Sequence, residues 1–208
     1  TGNEVQGNVI GIDKFGTVFR GYGLTGVEID NASDNTIGGS TEGERNVISG
    51  NGSNGVLIFG VSATGNSVQG NFIGTDLTGE GPFGNGLNGV EVVRVPGAKI
   101  GGTKEESNLI AFNILAGISV DSGSGTSIGI NSIHDNGELG IDLNAEEGAP
   151  DGVTPNDSGD LDDGANDLQN FPIVTDVAGL PTRIAGTLNS TPSSEFLIRF
   201  YSNTTGDP

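Results

Sequence analysis

Short aliphatic pairs with one residue between them recur along the chain: Val27 and Ile29, Val56 and Ile58, Val90 and Val92, Ile118 and Val120, Ile141 and Leu143. Alternation with period two marks strands that bury one face and show the other. A glycine opens each block, at Gly26, Gly55, Gly89, Gly117 and Gly140, so the spacings are 29, 34, 28 and 23 residues. No stretch carries an apolar stripe of period 3.6 over the length of a helix, which argues against leucine-rich, ankyrin and tetratricopeptide arrays.

The blocks belong to a longer repeat. Residues 2–13 (GNEVQGNVIGID) and 65–76 (GNSVQGNFIGTD) agree at nine of twelve positions, at an offset of 63. The same offset carries TGVEI (25–29) onto NGVEV (88–92), and one residue less carries RNVISGN (45–51) onto SNLIAFN (107–113). Such self-similarity marks a solenoid. The expected fold is all-β, a right-handed parallel β-helix of about five coils over residues 1–145, with the ten aliphatics named above facing inward. Glycine and asparagine at the strand ends supply corners that need positive φ. Asn8, Asn51, Asn71, Asn113 and Asn131 recur at one point of the unit. They predict a column of side-chain amides hydrogen-bonded along the axis.

The pattern stops near residue 145. Residues 146–170 are acidic, turn-rich and free of lysine and arginine. PIVTDV, RIAGTL and EFLIRFYS then read as three strands, so residues 171–208 are expected to form a short or truncated β-module. Within NDSGDLDDGANDLQN (156–170), five aspartates fall in eleven residues. Asp160, Asp162 and Asn166 alternate around Gly164, and Asp167 follows. Hard oxygen ligands at every second residue suit Ca²⁺, which would relieve the mutual repulsion of the aspartates. The run departs from the EF-hand pattern, since Phe171 stands where the bidentate glutamate belongs. A solvated acidic linker is the competing reading.

Charge narrows the function classes. Lysine and arginine number 8 against 27 acidic residues, a net charge of −19. A surface this negative repels phosphate backbones, so no nucleic-acid partner is expected. No apolar run approaches membrane-spanning length, so no membrane insertion is expected. With no cysteine there is neither a disulfide framework nor a thiol nucleophile.

Candidate chemistry lies on the outward positions of the aliphatic blocks. Glu28, Leu57, Glu91, Ser119 and Asp142 form one column, and Asp30, Phe59, Val93, Asp121 and Asn144 the next. Rungs about 4.8 Å apart would set Glu28 and Asp142 each two rungs from Glu91, roughly 9–10 Å, at the upper edge of the spacing of inverting glycosidases. Acidic residues on a solvated sheet of an acidic protein are the competing reading. His134 is the single histidine and reads as a corner residue. Leu57, Phe59, Tyr22 and Phe83 offer weakly aligned apolar surface for sugar stacking.

The blocks NTIGG, RNVISGNGSNGV, GNSVQGNFIGTD, SIHDNGELGIDLN and DLQNFP resemble the secreted right-handed parallel β-helix repeat proteins of bacteria, in the pectin-lyase-like superfamily. The likeness spans roughly residues 1–172. Members often carry a segment beginning Cys-Ser-Leu-Arg-Glu-Ala; its absence leads us to expect a trimmed chain without its N-terminal cap. The resemblance implies a secreted or cell-surface location and a polysaccharide or cell-surface glycan as partner. It carries both enzymes and adhesins, so fold alone does not choose. Lyases of this fold use an arginine or lysine base, and Arg94, beside Glu91, is the nearest candidate. The galacturonan hydrolases use an Arg-x-Lys that this chain lacks. The favoured expectation is a non-catalytic, adhesin-like structural segment stabilised by calcium. The alternative is a glycan hydrolase, lyase or epimerase using Glu28, Glu91, Asp121 or Asp142.

Overall fold

The computed structural model describes residues 1–21, 23–144 and 152–200. Five coils follow one another, each with three short strands. Coil 1 holds β1 (Glu4–Val5), β2 (Val9–Ile10) and β3 (Val27–Asp30); coil 2 holds β4 (Thr36–Gly38), β5 (Val47–Ile48) and β6 (Val56–Phe59). Coil 3 holds β7 (Ser67–Gln69), β8 (Phe72–Ile73) and β9 (Val90–Val93). Coil 4 holds β10 (Lys99–Ile100), β11 (Leu109–Ala111) and β12 (Ile118–Val120), and coil 5 holds β13 (Ser127–Ile128), β14 (Ser132–His134) and β15 (Ile141–Leu143). First, second and third strands stack separately, giving three five-stranded parallel sheets. The chain is a parallel β-helix.

Register follows the sequence repeat. Val27, Val56, Val90, Ile118 and Ile141 lie over one another in the third sheet, as do Ile29, Ile58, Val92, Val120 and Leu143. Inward aliphatics of the middle coils are wholly buried, among them Ile37, Val68 and Ile100 in the first sheet and Ile48, Ile73 and Ile110 in the second. Each such side chain contributes about 1.5–3 kcal/mol by leaving water. The end coils have a neighbour on one side only. Val27 and Leu143 are therefore half-buried, and Ile141 is 43% exposed, unlike the other members of the expected inward set.

Asparagine builds the corners, in more columns than the sequence suggests. Asn8, Asn46, Asn71, Asn108 and Asn131 form one ladder, in which each Nδ2 donates to the Oδ1 of the next coil at 2.9–3.1 Å. Asn51, Asn85, Asn113 and Asn136 form a second, at 2.8–2.9 Å. Asn3, Asn35 and Asn66 form a third. The five asparagines expected in one column thus divide between two, because the corners after the first and second sheets both use an amide. Beside the first ladder, the corner glycine Gly38 has φ +85°, and a Cβ there would lie 1.9 Å from the Gln69 carbonyl oxygen. Only glycine allows so close a stacking of backbones.

Two excursions interrupt the coils at the 63-residue offset. In residues 11–20, Asp13 Oδ1 accepts the Thr17 and Val18 amides; in residues 74–83, Asp76 Oδ1 accepts those of Thr78 and Glu80. The Phe19 and Phe83 rings of the two loops meet at 4.9 Å.

Beyond the coils, the described part of the acidic segment folds back on the solenoid. A 3-10 turn over Ala165–Leu168 places Ala165 and Leu168 in the main apolar core. Asn166 exchanges two hydrogen bonds with the Thr126 backbone, at 2.8 and 2.9 Å. A two-stranded antiparallel hairpin follows, β16 (Ile173–Ala178) and β17 (Arg183–Thr187), with every residue exposed. The third expected strand is not formed over residues 195–200, and Tyr201 and Ser202 lie outside the described residues. A hairpin with no buried residue offers a weak template for a third strand.

Candidate functional site

The third sheet sets Glu28, Leu57, Glu91, Ser119 and Asp142 in one register column on its outer side. Glu28 and Asp30 remain exposed on the first coil, separated from Glu91 by Leu57. Toward the C-terminal coils the same face is closed from water. Ser119, Asp142 and Asn144 are each 1% exposed and Asp121 5%, where the sequence suggested a solvated sheet.

The carboxylates there are joined through hydrogen bonds. Ser119 Oγ donates to Asp121 Oδ1 at 2.7 Å. Asn144 Nδ2 donates to Ser119 Oγ at 3.0 Å and to Asp121 Oδ1. Asn54 Nδ2 donates to Glu91 Oε2. Glu91 itself bonds Asp121 across one rung. Burial pushes the Glu91 carboxyl up to about 7; the Asp121 charge and their shared hydrogen bond push the same way, and the Asn54 amide opposes them. The Glu91 carboxyl therefore holds its proton through mildly acidic pH.

No family model, curated protein or solved structure matches this chain.

The chemistry of the pair therefore rests on its own geometry. Asp121 stands on the rung next to Glu91, two residues past the Ser119 that pairs with Glu91, so the two carboxyls are diagonal neighbours on adjacent strands. Asp142 lies two rungs from Glu91, with Ser119 between them in the register. The Arg45 guanidinium lies 4.2 Å from the Phe72 ring centroid, Arg94 lies 5.7 Å from that of Phe59, and Lys99 pairs with Glu106 at 3.1 Å. His134 ends β14 in the second sheet rather than a corner, with Nδ1 2.8 Å from Asp135 and its ring edge-on to Phe112. Of the apolar residues considered for sugar stacking, Leu57, Phe59 and Phe83 are half-buried, and Tyr22 lies outside the described residues.

Four further carboxylates are held below their ordinary range. The Thr17 amide is the main cause at Asp13, the Thr41 amide at Glu44 and the Thr103 amide at Glu106. At Asp76 desolvation acts upward, but bonds from Thr78, Gly81 and Glu80 outweigh it. These groups tie loops and corners.

In the acidic segment, carboxylate oxygens of Asp157, Asp160 and Asp162 come within 4.8 Å of one another. Asp160 and Asp162 were singled out by the spacing; Asp157 was not, although it lies in the same run. Asn166 is turned to Thr126, and Asp167 is exposed outside the converging group. Asp160 accepts the Asn170 amide at 2.7 Å and the Ser190 hydroxyl, and Asp162 Oδ1 is buried without a hydrogen-bond partner. A cavity of about 420 Å³ lies between the last coil and this segment, with Leu139, Ile141, Leu143, Val153 and Leu168 in its wall. Asp142 alone of the four carboxylates considered for catalysis reaches it.

Proposed function

We propose that this chain is a non-catalytic structural module, a stiff acidic rod of the adhesin-like kind belonging to a secreted or cell-surface protein. The supporting observation is the internal use of its polar groups. Asparagine amides are consumed in ladders, Glu91 accepts from Asn54, and Asp121 accepts from Ser119 and Asn144, so two of the four candidate carboxylates serve the stack. A charge of −19 keeps such a rod soluble and self-repelling. The absence of cysteine suits a module stabilised by stacking instead of disulfides. Among the described residues no helix is long and apolar enough to cross a membrane. A glycan remains the proposed partner, bound rather than cleaved. The test is a panel of neutral and acidic polysaccharides assayed for reducing ends and for unsaturated uronate. No turnover is expected, and turnover abolished in Glu91→Gln would replace this reading with the enzymatic one.

The proposal includes a structural Ca²⁺ at Asp157, Asp160 and Asp162, which support it by converging three carboxylates on one point. Bound Ca²⁺ raises stability with the logarithm of its concentration above the dissociation constant. Melting curves in calcium and in chelator should separate, and superimposed curves with no binding heat would remove the metal from the account.

A further inference from the structure

Five Asn-Gly steps lie along the chain, beginning at Asn51, Asn54, Asn85, Asn88 and Asn136. The stack imposes both halves of the pair. Asn51, Asn85 and Asn136 belong to the second amide ladder, while Asn54 and Asn88 accept backbone amides of the next coil, from Asn88 and Ala116. The glycines stand where coils touch. A Cβ on Gly86 would lie 2.5 Å from the Gly52 carbonyl oxygen, and one on Gly137 would lie 2.2 Å from that of Ile114. The dipeptide so imposed is chemically weak. Asparagine is thermolabile, and a following glycine has no Cβ to hinder attack of its nitrogen on the side-chain amide.

Folding restrains that attack unequally. Ring closure requires the peptide group between the two residues to rotate toward the asparagine Cγ. In four of the steps a backbone N–H of a neighbouring coil pins the carbonyl of that peptide. Gly86 pins Asn51, Gly26 pins Asn54, Ile114 pins Asn85 and Gly55 pins Asn88, at 2.8–3.1 Å. Among the described residues no N–H reaches the Asn136 carbonyl, and its peptide is held from one side only, by the Gly137 N–H on the Asn113 carbonyl at 2.9 Å.

The side-chain carbon of Asn136 is also polarised. Its Oδ1 accepts the Asn113 backbone N–H at 3.1 Å and the Asn113 Nδ2 at 2.9 Å, two donors placed to stabilise charge that builds on this oxygen. Asn85 receives the same two donors from Asn51, at 3.2 and 2.9 Å, but its carbonyl is pinned. Only Asn136 combines a polarised side chain with an unpinned peptide carbonyl.

We propose that Asn136-Gly137 is a self-modification site, at which the folded chain converts asparagine to aspartate and isoaspartate ahead of its other Asn-Gly steps. The Gly137 nitrogen gives its proton to water and attacks Asn136 Cγ. The new N–C bond closes a cyclic imide as the Cγ–Nδ2 bond breaks, and Nδ2 takes a proton from water and leaves as ammonia. Water then opens the imide at either carbonyl. The product loses the bonds that Nδ2 donates to the Ile110 and His134 carbonyls, and it adds a negative charge beside Asp135. In the isoaspartyl form the main chain runs through the former side-chain methylene, which lengthens the corner ahead of β15.

The test incubates the full chain at mildly alkaline pH, folded in one sample and in denaturant in another, and maps both by mass spectrometry of peptides. In the folded chain the acid forms should appear at residue 136 about tenfold faster than at residues 51, 54, 85 and 88, the weight of one backbone hydrogen bond. In denaturant the five steps should react at similar rates, because every pin is gone. Equal rates in the folded chain, a lead by any of the other four, or an intact Asn136 after the denatured sample has reacted would overturn the proposal. So would an equal lead of Asn136 in denaturant, since its flanking residues rather than the coils would then set the order.

Discussion

Glu91 is where a single side chain departs furthest from the behaviour of a surface acid. Its folded value of about 7 lies above the value near 4.3 of an unfolded chain, so the native state holds the proton more tightly. The stabilisation is complete below the unfolded value and is lost as pH rises through about 7. Glu91→Gln keeps position 91 neutral at every pH while retaining groups to meet Asn54 and Asp121. The variant should match the parent near pH 4 and exceed it at pH 8 by about 1–2 kcal/mol, allowing for solvent screening of a half-buried group. Urea midpoints at the two pH values measure this, and a variant less stable than the parent at pH 8 would refute the paired-carboxyl description.

At the level of the repeating element, the amide ladder ties each coil to the next. Asn71 is wholly buried, donates to the Ile37, Gln69 and Asn108 oxygens, and accepts two bonds from Asn46. Truncating it orphans several buried groups, each costing about 1–3 kcal/mol. Asn71→Ala should therefore destabilise by about 3–5 kcal/mol. Asn8→Ala, at the exposed end of the same ladder, should cost about 1 kcal/mol or less. Denaturant titration of the two variants checks the contrast, and equal losses would mean that the ladder does not couple the coils. The coils themselves were legible in the sequence, since Val-x-Ile blocks and a 63-residue repeat carry periodicity and length together. The division of asparagines into separate ladders was less legible, because Asn51 and Asn71 look alike until the corners they turn are known. The Glu91–Asp121 contact was hidden for a related reason. The two fall in different outward columns, and only the diagonal geometry of adjacent rungs brings them together. Asn54 left a trace in the shared Asn-Gly-Val of residues 54–56 and 88–90. The docking of Asn166 onto Thr126 left none, since contacts of loops with the coil end have no period.

The whole molecule is a stack in which each coil is stabilised mainly by its two neighbours, as in other repeat architectures. Local stability should therefore follow position along the axis. Coil 3 has wholly buried aliphatics in all three sheets and ladders on both sides. Coil 1 is open at its N-terminal face, and coil 5 rests on the cap that includes Leu168. The exposed hairpin of β16 and β17 stands outside this stack. Residue-resolved amide hydrogen exchange on the full chain tests this account most directly. It predicts slowest exchange at Val68, Ile73 and Val92, faster exchange in β1, β2, β3 and β15, and fastest exchange in β16 and β17; a flat profile, or protection greatest in the hairpin, would contradict it.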